Sequence, residues 1–77
     1  MSATTADVVV HIDETLPPDQ LKTLENHIHN LGGVVSANNR ADKPHLILVT
    51  YDPTKLKSHD ILVKVQSEGI RAELVGL

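Results

Sequence analysis

An α+β two-layer sandwich, an antiparallel sheet with two helices on one face, is the fold class this sequence predicts. Three observations carry the prediction. Six segments follow one another as strand, helix, strand, strand, helix, strand; both helical segments stop at glycine, at Gly32-Gly33 and at Gly69; and the strongest strand-like run closes on Tyr51-Asp52-Pro53. Two strand-helix-strand halves in one short chain are accommodated by a single sheet whose helices share a face.

Val8-Val9-Val10-His11-Ile12 is β-branched and reads as the first strand. Pro17-Pro18-Asp19 opens the first helix. A proline lacks an amide proton that a first turn leaves unpaired anyway, and an acid there suits the positive end of the helix dipole. Leu21, Leu24, Ile28 and Leu31 fall at steps of three, four and three, which lines one face with apolar side chains. Gly32 or Gly33 supplies the left-handed stop. Val34 to Asn38 is a weaker, polar-tailed strand suited to a sheet edge, and Asn39 to Pro44 is expected to be a loop. His45 to Tyr51 is the third strand, ended by Asp52-Pro53 because proline cannot donate to a ladder. Ser58 is the expected N-cap of a second helix with Ile61, Leu62 and Val65 on its inner side, and Ile70 to Val75 is the last strand. This is the ferredoxin-like βαββαβ arrangement, with expected sheet order 4-1-3-2, so that strands one and three are central. Alternation then turns Val8, Val10, Ile12, Ile47, Val49 and Tyr51 toward the helices and leaves Val9, His11, Leu46, Leu48 and Thr50 on the open face.

At 77 residues the chain is one domain, 1–77, with 1–6 expected to be a disordered N-terminal segment. A domain of this size buries only about 60% of its unfolded surface, so a partner subunit would help it. Its 40% hydrophobic and 22% charged residues place it among folded rather than disordered chains. Small exported domains are usually stapled by disulfides, and this sequence has no cysteine, so a cytoplasmic location is expected. Membrane insertion is not expected, since no apolar run reaches the roughly 18 residues a spanning helix needs. A net charge of −3 offers no attraction for nucleic acid, and the single aromatic, Tyr51, is expected on the helix side rather than on the open face where bases would stack.

Gly33-Val34, Val49-Thr50-Tyr51-Asp52-Pro53, and Ile61, Val65 and Gly69 resemble the fold-bearing positions of the heavy-metal-associated domain, the module of copper chaperones and metal-pumping ATPases. The resemblance covers about Asp7 to Val75. Members of that family hold soft metal with a Cys-x-x-Cys motif, and counting back from Gly33 puts the two cysteine positions on Pro17 and Gln20, with the preceding Gly-Met on Glu14 and Thr15. Thiolates select Cu(I) by their polarisability, and neither proline nor glutamine replaces that. The resemblance therefore implies the fold without the metal chemistry. The first half, Val8 to Val35, also resembles the start of subtilisin-type propeptide inhibitors, which leaves Tyr51-Asp52-Pro53 unexplained.

Catalysis is not expected. The same topology hosts acylphosphatases, but the loop after strand one reads Asp13-Glu14-Thr15-Leu16-Pro17, acidic and without glycine, which repels a phosphate. Two binding readings remain. Val8-Val9-Val10 and Leu46-Ile47-Leu48-Val49 are continuous apolar runs, as in strands covered on both faces, so Val9, Leu46 and Leu48 with His11 at the rim are expected to dock a protein partner or form a homodimer. The alternative is a metal-ion carrier for zinc, copper or nickel. The expected topology gathers His11, Asp13, Glu14, His45 and Arg71 at one end, with His11, Asp13 and His45 the candidate metal ligands, although His11 points to the open face and His45 toward the helix side or sheet margin. His27 and His29 sit about 200° apart on a helix and do not chelate. No organic cofactor is expected.

Overall fold

A computed structural model describes residues 4–40 and 42–75. The elements run β1 (Ala6–Ile12), α1 (Pro18–His29), β2 (Val34–Arg40), β3 (Lys43–Tyr51), α2 (Ser58–Gln66) and β4 (Ala72–Val75). The sheet order is β2-β3-β1-β4, the expected 4-1-3-2 read from the other edge, and all pairings are antiparallel. β1 begins at Ala6, paired with Tyr51, so the last residue of the segment expected to be disordered is in the sheet; residues 1–3 lie outside the described residues.

The helix-facing set is the one alternation predicts. Val10, Ile12, Ile47 and Val49 are fully buried, Val8 and Tyr51 nearly so, and they pack against Leu21, Leu24 and Ile28 of α1 and Ile61 and Val65 of α2. Leu31, just past the end of α1, is half-buried against this core. Leu62 is half-exposed rather than inward, because it follows Ile61 by about 100° around the helix.

The stop after α1 is Gly33, at φ +104°. A side chain there would also meet Leu56 Cδ2 at 2.7 Å and Lys55 Cβ at 2.9 Å, so this glycine answers both a backbone and a packing demand.

Three local expectations are corrected. The expected loop over 39–44 is a much shorter connection, with β2 running to Arg40 and β3 starting at Lys43. Tertiary contacts override the weak strand propensity of Asn38-Asn39-Arg40: the Asn39 amide nitrogen donates to the carbonyls of Leu46 (2.9 Å), Pro44 (3.1 Å) and Lys43 (3.2 Å), and the Asn39 backbone N–H donates to the Glu25 carboxylate of α1. The N-cap of α2 is Lys57, not Ser58; the Lys57 N–H donates to the Asp60 carboxylate at 2.8 Å, the N3 half of a capping box. Finally, β4 pairing starts at Ala72, with Ile70 buried in the core.

Candidate functional site

The open face is built by cross-strand register. Val9 lies between Leu48 of β3 and Val75 of β4, and Leu48 in turn faces Asn38 of β2. One step along β1, His11 lies between Leu46 and Glu73. Leu48 and Val75 are 43% and 44% exposed, whereas Val9 and Leu46 are half-buried. Val9, Leu46, Leu48 and Val75 thus form one contiguous apolar strip on the side of the sheet away from both helices. Acids border it. Asp7 sits at one end, accepting a hydrogen bond from the Thr50 hydroxyl at 2.6 Å, and Asp13 and Glu73 sit at the other.

At that second end His11 Nδ1 lies 3.1 Å from Asp13 Oδ1 and 3.7 Å from Glu73 Oε2. One ligand atom from each of the three residues falls within 4.8 Å of the other two. The Asp13 turn is fixed from the backbone, its N–H donating to the Arg71 carbonyl at 2.9 Å. Glu14, expected at the same end, is turned away: its carboxylate accepts the Arg71 N–H at 2.8 Å.

His11 and Asp13 are therefore brought together as expected, and His45 is held differently. Its Nδ1 donates to the Ile12 carbonyl at 2.9 Å, and its ring stacks beside that of His11 with centroids 6.2 Å apart and planes at 23°. Because a carbonyl can only accept, Nδ1 of His45 carries the proton. Glu73 was missed, although the signal was present: with strand four beside strand one, a residue between inward Ala72 and Leu74 faces outward next to His11.

The remaining histidines lie elsewhere. His27 of α1 pairs its Nδ1 with Glu68 Oε2 at 2.7 Å, with Lys64 Nζ 3.8 Å from the same oxygen. His29 and His59 are exposed. Pro17 caps α1 and Gln20 lies in its first turn, both exposed, and neither offers a soft donor. That corner does not fit a thiophilic monovalent ion.

No protein-family model matches the chain, and no curated protein does. Solved structures do. A copper-binding domain of the P-type ATPase HMA7 superposes with a TM-score of 0.81 at 21% identity, covering 91% of this chain and 93% of that one. Oxidized MerP from Ralstonia metallidurans CH34 gives 0.81 at 15% identity, covering 92% and 97%. The CopZ metallochaperone gives 0.75 at 17% identity, covering 91% and 100%. Likeness at these identities is likeness of backbone. This cysteine-free chain has the ferredoxin-like βαββαβ fold of heavy-metal-associated domains.

Proposed function

We propose that the chain is a small non-enzymatic binding module that docks a partner protein through its open sheet face, without thiolate metal binding. The observation that carries this reading is the contiguity of Val9, Leu46, Leu48 and Val75 across three adjacent strands. An apolar strip on a sheet face that no helix covers is a surface on which hydrophobic contact can be made. The acids Asp7, Asp13 and Glu73 around it favour, in the metal-free chain, a partner whose apolar patch is edged by lysine and arginine. A second copy of the chain is disfavoured by the same acids and by the net charge of −3. Among the described residues no charged side chain is buried, and desolvation is the usual means by which catalytic groups are tuned, which supports a role without catalysis. No described helix is long and apolar enough to cross a membrane, and the absence of cysteine suits a reducing compartment such as the cytoplasm.

The test places a photo-reactive residue at Leu48 in the producing cell and, as control, at Val63, an equally exposed aliphatic on α2. Leu48 is expected to form a discrete adduct with another protein, lost when Val75→Asp is added and weakened by salt, since rim charges are screened beyond about 10 Å at 0.1 M. Equal labelling from Val63 would refute the docking face. Adducts only between copies of this chain, with dimers in sedimentation, would replace the proposed partner by self-association.

A further inference from the structure

We infer that His11, Asp13 and Glu73 form a binding site for a divalent cation of the zinc class, displaced from the corner where the fold family holds soft metal onto the rim of the open sheet face. The three ligands come from three separate segments: the end of β1, the turn after it, and β4. Two of them are cross-strand partners, His11 opposite Glu73, so the ladder itself sets their spacing. Zinc bonds to imidazole nitrogen and carboxylate oxygen at about 2.0–2.2 Å, which puts tetrahedral ligand atoms about 3.4 Å apart. Two of the three separations, the His11–Asp13 hydrogen bond at 3.1 Å and His11–Glu73 at 3.7 Å, straddle that value, and the third, between Asp13 and Glu73, is within 4.8 Å.

A second observation bears on the imidazole independently of the acids. The His11 ring is steadied by the stacked ring of His45, which is itself pinned by its bond to the Ile12 carbonyl. With a neutral imidazole the set carries two negative charges, which a dication neutralises. One nitrogen and two oxygens suit zinc, nickel or cobalt, whereas calcium and magnesium favour all-oxygen shells and Cu(I) favours sulfur. The three side chains are 40%, 45% and 52% exposed, so the ion would keep an open position facing outward, toward whatever covers the sheet face.

The experiment is a titration of the isolated chain with Zn²⁺, following all five histidine rings by nuclear magnetic resonance and stoichiometry by calorimetry. Saturation is expected at one equivalent, with the His11 ring shifting in step with occupancy. Glu73→Gln and Asp13→Asn are each expected to weaken binding at least about tenfold, His11→Ala to abolish it, and His45→Ala to leave the stoichiometry unchanged, with far-ultraviolet circular dichroism verifying the fold of each variant. Cu(I) presented in a competing thiol buffer is expected to stay in the buffer. Uniform weak shifts of all five rings, or an unchanged affinity in Glu73→Gln, would overturn the assignment. Because this titration needs no partner protein, its failure is distinct from failure of the docking reading.

Discussion

Replacing Gly33 by alanine separates two costs that the structure superimposes at one residue. At φ +104° an alanine is held in a region L-residues rarely adopt, at a cost of about 1–3 kcal/mol. Its methyl group would also stand 2.7 Å from Leu56 Cδ2 and 2.9 Å from Lys55 Cβ. The leucine tip can swing aside, but the Lys55 Cβ moves only with its backbone, so an overpacking cost of about 1–3 kcal/mol is added. The combined loss is about 2–6 kcal/mol, against a total stability of roughly 4–12 kcal/mol for a domain of 77 residues. Two other glycines serve as internal controls. Gly69, at φ +78° with no atom within 4 Å of where a methyl group would stand, carries the conformational cost alone, about 1–2 kcal/mol as alanine. Gly32 has neither a positive φ nor a near neighbour, and Gly32→Ala is expected to be neutral or to stabilise by about 0.4–1 kcal/mol by restricting the unfolded chain. Urea unfolding followed by circular dichroism should rank the variants in the order Gly32, Gly69, Gly33; at an m-value of about 1 kcal/mol/M, a loss of 3 kcal/mol shifts the midpoint by about 3 M. A Gly33→Ala midpoint no lower than that of Gly69→Ala would refute the packing argument.

Ile47→Ala, in the fully buried row beneath the helices, is expected to cost about 2–5 kcal/mol in the same assay, whereas Leu48→Ala, its neighbour on the open face and 43% exposed, should cost under about 1 kcal/mol in the isolated chain. Comparable losses at the two sites would contradict the assigned strand faces. Asp52 accepts hydrogen bonds from the Thr54 hydroxyl (2.6 Å) and backbone N–H (2.9 Å), which, with Lys55 nearby, hold its carboxyl below the usual value for an aspartate. A carboxyl depressed on folding contributes stability that is complete above its unfolded value of about 3.9 and is lost as pH falls through the lower folded value. Asp52→Asn should therefore flatten the stability profile below about pH 4 relative to the parent, and an unchanged acid limb in the variant would argue against this role.

What could be read from the residues alone divides along a physical line. The inward and outward faces of β1 and β3 were legible because a two-residue period against a buried core leaves one consistent registration. The β2–β3 hairpin was not: Asn38-Asn39-Arg40 has the composition of a loop, and it is held in the ladder by the Asn39 side chain and by Glu25, which α1 brings from 14 residues away. The same distinction runs through the site. His11 and Asp13 could be paired from local spacing, and Glu73 was within reach of the expected strand order. The bond from His45 to the Ile12 carbonyl ties a side chain to a backbone group 33 residues away, which no side-chain pattern encodes.

Two of the stretches that resemble heavy-metal-associated domains, Gly33-Val34 and Tyr51-Asp52-Pro53, form one piece of structure. The Asp52 N–H donates to the Gly33 carbonyl at 2.7 Å, Val34 pairs with Tyr51, and Leu56 and Lys55 close over the bare face of Gly33. Two motifs some twenty residues apart in the chain thus form a single clasp joining the end of α1 to the turn after β3. That clasp lies at the C-terminal end of α1, whereas Pro17 and Gln20 lie at its N-terminal end, separated by a helix of 12 residues, about 18 Å long. Both positions are exposed, and surface substitutions away from such clasps usually change stability by no more than about 0.5 kcal/mol. The framework therefore does not depend on the chemistry of those two positions. A chain with proline and glutamine there can keep the βαββαβ scaffold intact and leave the adjoining end of the sheet, with His11, Asp13 and Glu73, to serve a different ligand.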